Sequence, residues 1–420
     1  MNNKFNRIAM LSTHGYFDPV PVLGRTDTGG QVVYVLELAK AISKLGIKVD
    51  IYTRWFNKDQ KQIDPVPGYA DVNVIRIQAG PWEFIPKEQI YDILPELSDN
   101  MLDFINKQGW EYDLFHGHYV DAGIVTLDVA KAFGKPAYFT AHSLGAWKKE
   151  QMGGDPGAME AKFNFKHRIS EEIRIFKNVN AQSVTSIVQK EKLNELYDFY
   201  ANNIVDIPPG VDIHTFKPAT EEKEDAVVLK KVPNNYIYCI SRIDSNKGHD
   251  FLLRAFNLVR KKIDHVDLVI GGGSPNPKDR EKEVFDLMHN IINELDMAER
   301  VHIIGYVPDE LMPPYYRHAL LFVLPSLFEP FGMTTQEAMA CGTPVVVSRF
   351  GGIRNVIKNK ENGMLVDPSD PKEFANALIE MLENEELREK LGRAAYQTVI
   401  REFSWEAIAD RFLKFYSDFR

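Results

Sequence analysis

Residues 319–350 read ALLFVLPSLFEPFGMTTQEAMACGTPVVVSRF. An apolar run ends in a Pro-rich turn, a helical stretch opens at about Gly332, and a Gly-Thr-Pro break returns the chain to a second β-branched run. Strand, helix and strand of this kind make one unit of a parallel sheet covered by helices.

The same alternation extends outward in both directions. Upstream within the second half lie NNYIYCISRID (234–244), FLLRAFNLVRKK (251–262), VDLVIGGG (266–273) and VHIIGYV (301–307). The first half repeats it with RIAMLST (7–13), GGQVVYVLELAKAISKLG (29–46), KVDIYTRW (48–55), VNVIRIQ (72–78), YDLFHGHY (112–119) and PAYFTAHS (136–143). Two parallel α/β sheets, each Rossmann-like, are therefore expected. A chain of 420 residues is also too long for one comfortable core. Between the halves, DIPPGVDIHTFKPATEEKEDA (206–226) breaks the periodicity with paired prolines, a glycine and a charge run, as a linker does. This puts the boundary near Phe216, with domains at 1–215 and 216–403. The amphipathic aromatic segment SWEAIADRFLKFYSDF opens the last stretch, 404–420, and is expected to pack back across the junction.

Composition narrows the function. Apolar content of 44% and charged content of 26% belong to a folded globular chain. A net charge of -9 disfavours nucleic acid and anionic membrane surfaces as partners, because both recruit clustered Lys and Arg. Cys239 and Cys341 are the only cysteines, too few for a disulfide framework or a four-thiolate zinc site, and both are expected to be buried, reduced and structural. No apolar run reaches the roughly 18 residues of a spanning helix, and the amino terminus reads as a first strand rather than a signal peptide. A cytoplasmic enzyme is the expectation; its oligomeric state is open.

Open α/β sheets bind ligands at the carboxyl ends of their strands, so chemistry-bearing residues there carry weight. Gly29 and Gly30 precede a helix whose first amides would suit an anion, with Gln31 beside them. The G-x-G-x-x-G spacing of a dinucleotide fold is absent both there and at Gly271–Gly273, which counts against a two-domain oxidoreductase. Glu329 lies before the helix that opens at Gly332, Gly332 to Thr335 form its first turn, and Glu337 follows one to two turns on. A diphosphate can sit on that helix end while carboxylates on either side accept bonds from sugar hydroxyls. His142, at a strand's carboxyl end, is placed for a ligand. His116 and His118 resemble a metal pair, but no Cys or carboxylate cluster completes a site, and no metal is expected.

Glu329 and Glu337, with Arg242 and Lys247 in SRIDSNKG (241–248), resemble the E-x7-E motif and the Arg/Lys pair of the retaining glycosyltransferases of family 4. These are GT-B enzymes, with two facing Rossmann-like domains and a cleft between. Within that family, THGYF (13–17), PVLGRTDTGGQVVYVLELA (21–39), FIPKE (84–88), HYVDAG (118–123) and HSLGAWKKEQM (142–152) are most similar to the sucrose-phosphate synthase and mannosylfructose-phosphate synthase group. The resemblance spans nearly the whole chain. It implies transfer of glucose or mannose from UDP-glucose or GDP-mannose to fructose 6-phosphate, with no cofactor or tightly bound metal.

By position, the resemblance implies that Arg242 and Lys247 neutralise the donor diphosphate with the amides of Gly332, Met333 and Thr334. Glu337 would hold the ribose, Glu329 the donor hexose, and His142 the hexose near its anomeric carbon. Gly30 and Gln31 would contact acceptor or donor. Lys87, Lys148 and Arg168 would hold the acceptor phosphate, for which a planar fork and compact point charges are complementary. His118 and Asp121 would line the same pocket. FKHRISEE (165–172) follows the family pattern only loosely, which bears on Arg168. Two other readings stay open: a relative acting on an unphosphorylated or lipid acceptor, and an inactive sugar-nucleotide-binding regulator.

Overall fold

The computed structural model describes residues 5–20, 30–152, 155–218, 223–274 and 279–420. The chain divides into two compact units, Met1–Gly210 with Trp405–Arg420, and Val211–Ser404.

The first unit holds strands β1 (Arg7–Leu11), β2 (Lys48–Trp55), β3 (Ile63–Val66), β4 (Tyr69–Gln78), β5 (Leu114–His118), β6 (Ala137–Thr140), β7 (Ala181–Val184) and β8 (Ile204–Asp206). Their order in the sheet is β3-β4-β2-β1-β5-β6-β7-β8. Every pair is parallel except β3 with β4. That antiparallel edge is absent from the sequence reading. Its segment IDPV carries Pro65, which cannot donate to a ladder and is tolerated on an edge strand, and the tight return at Gly68 has φ of +81°.

The second unit holds β9 (Tyr236–Ser241), β10 (Asp267–Gly272), β11 (Val301–Gly305), β12 (Leu321–Leu324), β13 (Val345–Ser348) and β14 (Met364–Val366). The order β11-β10-β9-β12-β13-β14 is parallel throughout. In each sheet the chain winds outward from one central strand and then restarts on that strand's other side. The reversals fall between β1 and β5, and between β9 and β12. Such a switch point opens a crevice at the strands' carboxyl ends, where ligands of doubly wound sheets bind.

The units divide at Gly210 rather than at Phe216 because Val211 already pairs with the far end of the second unit. Its amide donates to the Phe403 carbonyl at 2.8 Å, and Val211 bridges Ser404. One residue away, a Cβ on Gly210 would stand 2.4 Å from the Trp405 indole, so this position takes no larger side chain.

The last helix, Trp405–Asp418, buries Trp405, Ile408, Ala409, Phe412, Phe415 and Tyr416. Their spacing of three and four residues makes one apolar stripe. The stripe completes the core of the first unit beside Ile8, Met10, Val35, Leu38 and Tyr138. Tyr138 donates to the Tyr416 carbonyl at 2.7 Å. Phe412 is fully buried, so Phe412→Ala is expected to destabilise the first unit by roughly 3–5 kcal/mol through lost transfer energy and a residual cavity; denaturant titration of the two proteins measures it. Cys239 and Cys341 are buried free thiols, and burial pushes both up from the ordinary thiol range. No described helix is long and apolar enough to cross a membrane.

Candidate active site

Each unit gathers polar groups at its own switch point. In the second unit, β9 runs into Arg242 and a short turn at Ser245–Lys247, and β12 runs into the loop 325–332. The two are laced together: the Asn246 carbonyl accepts from the amides of Leu327 at 3.0 Å and Phe328 at 3.4 Å. Lys247, 6% exposed, donates from Nζ to Oε2 of Glu329 at 2.6 Å. The lysine and glutamate expected on separate parts of a donor are thus partners of each other, and the carboxylate fixes where the ammonium sits. Arg242 is exposed at the strand end.

The helix Met333–Ala340 starts at Gly332, whose φ of +111° suits glycine, and no side chain caps its first turn. Gly352 brings the loop after β13 against this turn. Its amide donates to the Glu329 carbonyl at 2.8 Å, and a Cβ there would lie 1.9 Å from the Pro330 oxygen. The hydroxyls of Ser326 and Thr335 are buried with no hydrogen-bond partner among the described residues. Met333 is exposed and Thr334 half-buried. Glu337 accepts from the Tyr316 hydroxyl at 2.8 Å. Burial pushes its carboxyl up to about 7; the Tyr316 hydrogen bond opposes this and the charge of Asp309 adds to it.

In the first unit, Ser12, Thr13 and His14 follow β1, and Gln31 lies in the first turn of the next helix, Gly30–Ser43. Gln31 donates to the Ser12 hydroxyl and the His118 carbonyl, each at 3.1 Å, joining the ends of β1 and β5. Gly30 is exposed. Residues 21–29, with Gly29 and most of the glycine turn, lie outside the described residues. Asp121 is fully buried, where Thr13 donates to it and His14 Nδ1 lies 2.9 Å away. Burial alone would raise its carboxyl, but the charge of His14 and these hydrogen bonds hold it below the usual range. Asp121 therefore positions His14.

His142 follows β6 with a left-handed φ of +51°, and its Nε2 lies 2.9 Å from Nδ1 of fully buried His118. Burial, with the charge of His14, pushes His142 down to about 3. His116, between Tyr416 and Thr140 at 2.7 and 2.8 Å, is also pushed down to about 3, by burial first. All three rings are neutral at physiological pH.

Arg168 is 3% exposed. Its Nε donates to Glu172 at 2.9 Å, its Nη2 to the Ser143 carbonyl at 2.8 Å, and its guanidinium lies 4.7 Å from the Tyr119 ring. Glu172 also accepts from the Gly145 amide, at the start of the helix that carries Lys148, and from Tyr197. Lys148 lies 4.9 Å from the Phe163 ring, and Lys87 lies 3.7 Å from Glu88. Tyr91 and Tyr119 feel the charges of Asp121, Arg168 and Glu172, and Tyr119 that of Glu88 as well. One neighbourhood therefore unites the segments bearing Glu88, Asp121 and Arg168.

Sequence reading missed His14, Tyr119, Glu172, Tyr316 and Gly352. The pair Gly351–Gly352 after an apolar strand repeats the signature recognised at Gly29–Gly30, and Arg168 and Glu172 stand one helical turn apart. His14 lies in a stretch already noted for its resemblance. Tyr316 carried no signal. Among the described residues no group of three or more His, Cys, Asp or Glu could hold a metal ion.

Two Rossmann-like units, each with polar groups at its switch point, suit a glycosyltransferase, and comparison with known proteins shows that class. Residues 28–215 match the family model described as Glycosyltransferase Family 4, and residues 220–398 match Glycosyl transferases group 1. Mannosylfructose-phosphate synthase of Agrobacterium fabrum is 37% identical over 98% of this chain and 91% of its own. A probable sucrose-phosphate synthase of Thermosipho melanesiensis is 33% identical, covering 97% and 95%. The solved sucrose-phosphate synthase of Thermosynechococcus elongatus superposes with a TM-score of 0.77 at 30% identity, covering 98% of each chain. This chain belongs to glycosyltransferase family 4.

Proposed function

We propose that the enzyme moves glucose or mannose from UDP-glucose or GDP-mannose to fructose 6-phosphate, with retention of configuration, and releases a disaccharide phosphate. The observation that carries this reading is the Lys247–Glu329 pair beside the uncapped helix at Gly332, in a chain related along its whole length to an enzyme named for such a product.

The anomeric carbon's bond to the diphosphate breaks, a bond to the acceptor hydroxyl oxygen forms, and the acceptor's proton passes to the departing phosphate oxygen. The leaving group gains negative charge, so fixed positive groups accelerate the step. Lys247, Arg242 and the first amides of the helix Met333–Ala340 fill that role, which makes a bound metal unnecessary. The orphaned hydroxyls of Ser326 and Thr335 add hydrogen-bonding capacity beside them. Glu329 aims Lys247 and accepts from hexose hydroxyls, Glu337 holds the ribose, and His142, neutral, contacts the hexose. Gly30 and Gln31 lie beside the reacting sugars, and Arg168, Lys148 and Lys87 hold the acceptor phosphate.

The test of the acceptor is a comparison of fructose 6-phosphate with fructose. The phosphate is expected to raise kcat/KM by at least about a hundredfold, as two charge-assisted contacts would, and Lys148→Ala is expected to lose most of that margin. Equal use of the two sugars, unchanged in Lys148→Ala, overturns the acceptor assignment.

Glu337 gives a pH prediction. With its carboxyl at about 7, it is mostly protonated at pH 6 and ionised at pH 8, and only the ionised form accepts fully from both ribose hydroxyls. Nucleotide-sugar affinity is therefore expected to tighten about tenfold from pH 6 to 8, where the diphosphate diester itself does not titrate. Glu337→Gln should flatten the dependence. Calorimetric titration at the two pH values measures it.

A further inference from the structure

We infer that His118 is a positioning residue that holds His142 in the tautomer with its proton on Nδ1, so that His142 offers the hexose a hydrogen-bond donor. The inference deepens the role proposed for His142 and rests on that reading.

His118 and His142 share one proton between them. His118 Nδ1 and His142 Nε2 are 2.9 Å apart, so one carries hydrogen and the other a lone pair. If His142 were the donor, His118 would have its proton on Nε2. That atom is buried with no partner among the described residues, and orphaned buried N–H groups are rarer in folded proteins than under-satisfied acceptors. A bare lone pair in the same place is better tolerated.

His118 therefore donates from Nδ1 and leaves Nε2 unprotonated. His142 accepts on Nε2, and its own proton sits on Nδ1, which takes no partner among the described residues. The rest of the cluster offers no way out. His116 lies against His118 with tilted rings, centroids 4.2 Å apart, but both its nitrogens are engaged by Tyr416 and Thr140. Tyr34 meets His142 only by a ring edge, at 4.8 Å. Burial keeps His118 and His142 uncharged, so a doubly protonated pair does not arise at neutral pH.

Long-range proton–nitrogen correlation spectra of protein labelled with ¹⁵N-histidine, recorded at pH 8, read the tautomers directly. The expected wild-type result is an Nδ1–H pattern for both His118 and His142. His118→Phe removes the donor while keeping a ring. It is expected to lose the fixed His142 pattern and to lower kcat about 10- to 100-fold with little change in acceptor KM. His118→Asn, whose amide nitrogen can replace Nδ1–H, is expected to restore the pattern and recover most of that loss. An Nε2–H signal for His142 in the wild type, or a His118→Phe enzyme with unchanged tautomer and kcat, overturns the inference. The spectra need no substrate, so a failure of hexosyl transfer to fructose 6-phosphate would contradict the proposed function without touching the tautomer result.

Discussion

Lys247→Ala is expected to lower kcat for hexosyl transfer about a thousandfold. Removing one fixed donor from a developing anion costs about 10²- to 10³-fold, and here a second penalty adds to it. The ammonium is 2.6 Å from Glu329, and both side chains are largely shielded from solvent. Without Lys247 the carboxylate would stand uncompensated where a diphosphate should bind, repelling the ligand that the lysine attracts. Affinity for the nucleoside diphosphate should fall together with kcat. Glu329→Gln leaves the lysine in place and should cost less, about tenfold, as the loss of one charge-assisted hydrogen bond. Single-turnover rates with calorimetric nucleotide affinity separate the two contributions. A Lys247→Ala enzyme within tenfold of wild type would remove the pair from the chemistry.

Arg168 carries the second large effect, on both stability and acceptor use. Arg168→Ala strands Glu172 in the interior. Breaking a buried pair from one side costs about 3–5 kcal/mol, moderated here because Glu172 keeps the Gly145 amide and the Tyr197 hydroxyl. The double change Arg168→Met with Glu172→Leu removes both charges and should recover most of the lost stability, since apolar replacements of buried pairs are often neutral or better. It should not recover acceptor use: KM for the sugar phosphate is expected to stay at least about a hundredfold above wild type, as loss of a charge-assisted phosphate contact would dictate. Nucleotide-sugar affinity should stay near wild type in the double variant. Denaturation midpoints and acceptor saturation curves measure the two effects separately. Recovery of both by the double change would mean that Arg168 serves the fold alone.

How much of this was legible beforehand follows from the range of the interactions. The alternating strands and helices, and the helix opening at Gly332, are local features. Period, glycine and β-branched runs report them directly, and the structure places them as read. The edge hairpin of β3 and β4 escaped because IDPV is short, charged and interrupted by Pro65, so it lacks the apolar alternation that marks a strand. Pairings across sequence were hidden for a different reason. Lys247 and Glu329 are 82 residues apart, and His14 and Asp121 are 107 apart. Lys247, Glu329 and Asp121 stood out singly and His14 did not, but only the sheet order, which sets β9 beside β12 and β1 beside β5, brings each pair together. Asp121, expected to line the acceptor pocket, also orients His14, and Arg168, expected to hold the acceptor phosphate, is itself held by Glu172 and Ser143. In these cases the sequence named the residue but not the side chains that hold it.

The most direct test incubates the purified protein with UDP-glucose or GDP-mannose, each with and without fructose 6-phosphate, while following nucleoside diphosphate release and the mass of any new disaccharide phosphate. The proposed activity predicts release with one of the two donors that depends on fructose 6-phosphate and matches the disaccharide phosphate formed. Turnover with neither donor, or release indifferent to fructose 6-phosphate, would contradict it.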